Sequence, residues 1–81
     1  MTEKEKAELL AAGEECLAFY KTGMEESMKI KNFPLAFAYE RQHDGAARML
    51  QSLGLLSYEE YSSRSTALFA HYMDGQLSNM K

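Results

Sequence analysis

Glu40-Arg41-Gln42-His43 places a carboxylate and an imidazole three residues apart, on neighbouring positions of one helix face. Helical dinuclear carboxylate sites use this E-x-x-H pair, but need it twice, with one further Glu from each of two other helices. This chain offers the pair once, so two copies would have to meet, with Glu14, Glu15, Glu25 or Glu26 supplying the remaining ligands. The plainer reading is a histidine at the core boundary beside a solvated Glu40, and no metal or other cofactor is expected. Cys16, His43 and His71 match no zinc-site spacing, and Cys16 reads as a small buried thiol. The glycines are scattered, with no G-x-G phosphate cradle. Nothing pairs a nucleophile with a base and an oxyanion hole. The chain is expected not to be an enzyme.

The stretch from Glu40 to Leu50, with Ala46, Ala47 and Met49 after the histidine, resembles the corresponding helix of encapsulated ferritins over that one segment. The resemblance implies a dinuclear metal protein using Glu40 and His43 across a dimer, and it fixes no companion Glu.

A second group suggests binding. Phe37 falls almost opposite the apolar stripe expected for its helix, beside Arg41, Asp44 and Arg48, with Gly45 opening space between the two arginines. An aromatic flanked by arginines suits a protein contact or a small anionic ligand. The competing reading folds Phe37 onto Phe33 and pairs Arg41 and Arg48 with Asp44. Arg64 is the other candidate anion-binding arginine, provided it converges with the others across a symmetry axis.

Three helices are expected to position these groups, at about 3–31, 34–53 and 58–73, with 76–81 as a frayed tail. The first opens on Thr2-Glu3-Lys4-Glu5, a capping-box pattern. Leu9, Leu10, Gly13, Cys16, Leu17, Tyr20, Met24 and Met28 form one stripe. Ala12, Phe19, Gly23 and Ile30 add a second lane on one side. A stripe so wide calls for two neighbours. Asn32 is the better cap for the second helix, with Pro34 in its first turn. Its expected core stripe is Leu35, Tyr39, Gln42, Ala46, Met49, Leu50 and Leu53. Gly54 supplies a left-handed stop. Leu56-Ser57-Tyr58-Glu59-Glu60-Tyr61 reads as staple, cap and Glu at N3. Asp74-Gly75 reads as the end of the third helix. The fold class is therefore all-α, a long first helix in an antiparallel hairpin with the second and the third packed alongside. The apolar excess of the first helix is expected to make the bundle a homo-oligomer.

Composition narrows the function. The chain has 81 residues and a formal net charge of -3 at pH 7, the wrong sign for general nucleic-acid binding. It carries no membrane-length apolar run. Met1 to Lys6 is polar with no apolar stretch after it, so no secretory signal is expected. With a single cysteine, a cytoplasmic location is expected. Small size, mild acidity and absence of catalytic motifs resemble, in style rather than family, small accessory proteins of bacterial phages and mobile elements. The expected function is a non-enzymatic binding protein that inhibits a host protein by direct contact, through Phe37, Arg41, Arg48 and Arg64. The alternative is an oligomer that sequesters a nucleotide-like anion.

Overall fold

Caps decide where each helix begins. In the computed structural model, which describes residues 1–80, Thr2 Oγ1 accepts from the Glu5 N–H while Glu5 Oε1 accepts from the Thr2 N–H. These start α1 (Glu3–Lys29). Asn32 Oδ1 accepts from the Leu35 N–H at 3.2 Å and opens α2 (Phe33–Ser52). Ser57 and Glu60 close a second reciprocal box at the head of α3 (Tyr58–Asn79). Bonding to these backbone N–H groups holds the Glu5 and Glu60 carboxyls below the usual carboxylate range.

The helix ends also follow local rules. Gly54 takes φ 77°, with Leu55 N–H bonding to Leu50 O at 2.9 Å and Gly54 N–H to Gln51 O at 3.0 Å. This is the Schellman pattern. The same pattern closes α1, with Asn32 N–H on Ser27 O and Lys31 N–H on Met28 O. Here Lys31 occupies the left-handed position at φ 59°, where a Cβ is unfavourable.

No strand occurs among the described residues. α1 packs mainly on α2, α2 packs next on α3, and α1 touches α3 least. Gly13 and Gly23 let the hairpin close tightly. A Cβ on either would stand 2.6 Å from the Leu50 or the Tyr39 side chain respectively. One buried cluster joins Leu17, Ala47, Leu50 and Leu56, with Tyr61 packed against it. The other joins Met24, Ala36, Leu68 and Tyr72. Extents of 50 × 20 × 12 Å make the molecule a thin slab.

The largest departure from expectation is the rotation of α2. Its buried residues are Ala36, Glu40, His43, Ala47 and Leu50, about one position round from the expected stripe. Leu35, Met49 and Leu53 are 42%, 60% and 50% exposed. The cause is the second neighbour. α3 docks on a different side of α2 from α1, through the Phe33 and Phe37 rings against Tyr72 and Asp44 and Arg48 against Tyr61. A helix held along two lines buries the strip between them, whatever residues occupy it. Glu40 is therefore not solvated.

α3 also runs past its expected stop to Asn79, so residues 76–79 are helical rather than a tail; Lys81 lies outside the described residues. Gly75 sits under the terminal methyl of Met28, which would have to swing aside for a Cβ. The glycine serves helix contact there instead of termination. Cys16, expected in the core, is exposed.

Candidate functional site

Two polar groups are buried on α2 where a core would ordinarily be apolar. Glu40 is 1% exposed and His43 6%. Arg41, whose side chain is half exposed, turns back to take both Glu40 oxygens, Nε to Oε2 at 2.7 Å and Nη2 to Oε1 at 3.0 Å. A buried carboxylate is costly without such pairing. The fork leaves Glu40 engaged on both oxygens rather than poised as a free ligand. His43 is different. Its Nδ1 is buried with no hydrogen-bond partner. Burial pushes the imidazole below its ordinary pKa, and the positive charges of Arg64 and Lys21 act in the same direction against Glu40 and Asp44.

His43 forms part of the wall of a cavity of about 360 Å³ between the helices. Lys21 and Glu25 come from α1, and Arg64, Ala67, Leu68 and His71 from α3. The α3 residues lie at spacings of three, four and seven, one strip of a helix. Arg64 Nη1 bonds Glu14 Oε1 across the α1–α3 gap. His71 Nε2 stands 3.4 Å from Glu25 Oε2. Lys21 makes no ion pair among the described residues.

Of the binding residues read from the sequence, Phe37, Arg41 and Arg48 share one side of α2, and each already has neighbours in the chain. Phe37 is 43% exposed, with its ring 5.7 Å from that of Tyr72 and the Arg41 guanidinium 5.9 Å above it. Arg48 bonds Asp44 and the Tyr61 hydroxyl, and Tyr61 in turn donates to Asp44 at 3.0 Å. Burial works to raise the Asp44 carboxyl, but the neighbouring Ser65 and Tyr61 hydroxyls and the nearby Arg41 and Arg48 outweigh it and hold it low. Arg64 lies apart, across α1 and α3. The three arginines do not converge within one chain.

The reading from sequence missed Lys21, Glu25 and His71 as a set. They come from two helices whose relative setting no local pattern encodes; only the i,i+4 placement of Lys21 and Glu25 was visible. No group of three His, Cys, Asp or Glu able to hold a metal occurs among the described residues. No helix is long and apolar enough to cross a membrane. No protein-family model, curated protein or solved structure matches the chain.

A third feature lies on the opposite side of the hairpin from α3. The second lane of α1 leaves Phe19 64% and Ile30 72% exposed, and Leu9 is open at its far end. The Phe19 ring meets that of Tyr39 edge-on at 6.3 Å, which places this lane beside the uncovered Leu35, Met49 and Leu53 lane of α2. Cys16, on the neighbouring edge of the first stripe, is exposed beside this lane.

Proposed function

We propose that this chain is a non-enzymatic, cytoplasmic helical binding protein that works as a homo-oligomer, with a second copy covering the α1–α2 face. The observation that carries this reading is the uncovered apolar lane of Leu9, Phe19, Ile30, Leu35, Met49 and Leu53. At roughly 100 Å² of open surface apiece, these side chains offer about 600 Å² per copy, against roughly 800 Å² per partner in a standard interface. That approaches a two-fold dimer contact and matches the largest patches found on lone monomers. Joining two hairpins face to face would build a four-helix core from lanes that one chain leaves wet.

The act we assign to this oligomer is inhibition of a host protein by direct binding, the mode of a phage or mobile-element accessory protein. Phe37, Arg41 and Arg48 would remain on its outside. In support, these side chains lie on the α3 side of α2, clear of the self-association lane, and keep substantial exposure.

Size exclusion with light scattering tests the foundation. The wild-type chain should run at twice its 9.2 kDa mass or more, and Phe19→Asp should run as a monomer with its helical melt nearly unchanged. A hot-spot aromatic contributes 2 kcal/mol or more, about a thirtyfold change in dissociation constant. Because Cys16 is exposed at the border of this face, a short thiol-reactive linker should join two wild-type copies and fail on Phe19→Asp. A wild-type monomer at micromolar concentration would sink the proposal.

A further inference from the structure

We infer that the cavity between Lys21, His43, Arg64 and His71 is a binding site for the oxyanion group of a small metabolite, a phosphate or a carboxylate. The site lies within one chain, on the side of α1 away from the self-association lane, so it stands or falls independently of the oligomer.

Four nitrogen-bearing side chains from all three helices border one space of about 360 Å³, within the range of small-ligand pockets. Their hydrogen-bonding capacity is not spent. Lys21 makes no ion pair among the described residues, although Glu25 borders the same cavity. Arg64 commits Nη1 to Glu14 and has four further N–H donors. His43 is more than nine-tenths buried, yet Nδ1 has no partner. Buried polar atoms are nearly always satisfied, so the unpartnered Nδ1 of a ring that borders the cavity is an unspent bonding position beside it.

The acidic neighbours are accounted for. Glu14 is occupied by Arg64 and Glu25 faces His71. In formal charge Lys21 and Arg64 balance Glu14 and Glu25. An oxyanion set between Lys21 and the imidazoles would be held by directed N–H donors rather than by net charge. Ala67 and Leu68 supply an apolar wall, suited to the organic body of a metabolite rather than a bare ion. Arg41 and Arg48 take no part, since neither borders the cavity.

The test is an NMR titration of the full chain, following the His43 and His71 ring signals. Inorganic phosphate is added in one arm, acetate in another and chloride at matched ionic strength in a third. Saturable shifts of both histidines with phosphate alone identify a phosphate site, with acetate alone a carboxylate site, and with both a general oxyanion site. Bound anion should also raise the pH at which the His43 imidazole titrates. Lys21→Gln, a surface change that leaves the fold intact, should weaken binding about tenfold, the loss of one charged hydrogen bond. Glu25→Gln should tighten it by removing the opposing carboxylate, and Lys4→Gln should leave it alone. Shifts that match chloride, fail to saturate, or persist unchanged in Lys21→Gln would overturn the assignment.

Discussion

The two long sides of α2 invert the usual distribution of residue types. The strip between α1 and α3 buries two alanines, a glutamate, a histidine and one leucine. The lane facing away from α3 leaves Leu35, Met49 and Leu53 in water. A chain that folded only to hide its own apolar surface would turn α2 by one residue. It does not, because α3 docks through a polar and aromatic set, Tyr61 on Asp44 and Arg48, and Tyr72 on Phe33 and Phe37. Those contacts hold α2 in a setting that leaves its better hydrophobes outside. Burial in this molecule is thus decided by geometry between three helices, and the leftover apolar lane is what motivates a second copy.

Adjacent residues on the two sides give the largest contrast. Leu50→Ala should cost about 2–5 kcal/mol by opening a cavity against Leu17 and Leu56. Met49→Ala, one residue away, should change the stability of the monomeric fold by no more than about 0.5 kcal/mol. Urea melts of the two variants in the Phe19→Asp background separate folding from self-association. Equal losses would mean that α2 is rotated as the sequence pattern first suggested.

The turn before α2 lies outside both sides, and a change there should leave the contrast between them unaltered. Lys31 sits at φ 59° in the closing motif of α1. Lys31→Gly should stabilise the chain by about 1 kcal/mol, the left-handed penalty less the extra freedom gained by the unfolded chain. The denaturation midpoint is the measurement. A lower midpoint would show that the Lys31 side chain contributes contacts worth more than its backbone strain.

The smallest effect is confined to mild acid and reports on the buried polar side alone. Burial depresses the His43 imidazole in the folded chain, while the unfolded imidazole takes its proton near pH 6.5. The unfolded state therefore binds more protons in this window. Stability is complete above about pH 6.5 and is lost as the pH falls through the lower, folded value. The midpoint should drop from pH 7 towards pH 5, and His43→Leu should flatten that slope. A wild-type slope retained in His43→Leu would assign the effect to another group.

The sequence by itself determined the features that a few consecutive residues can settle. The capping boxes at Thr2 and Ser57, the cap at Asn32 and the Gly54 stop all form where their residues predict. Each is a bond or contact within six positions, so its energy does not depend on where the rest of the chain goes. The first helix, with its second lane of Phe19, Gly23 and Ile30, was legible for the same reason. Tertiary structure alone decided which lane of α2 is buried, because periodicity defines an apolar stripe but not the direction from which a second neighbour arrives. It decided that Glu40 and His43 lie inside, and that Cys16 lies outside. It turned Asp74-Gly75 from a stop into a helix contact, since the value of a missing Cβ depends on Met28, which lies in a different helix. The cavity of Lys21, Glu25, His43, Arg64 and His71 belongs to the same category. Its walls come from three helices, and their convergence is a property of packing angles that no spacing along one chain contains.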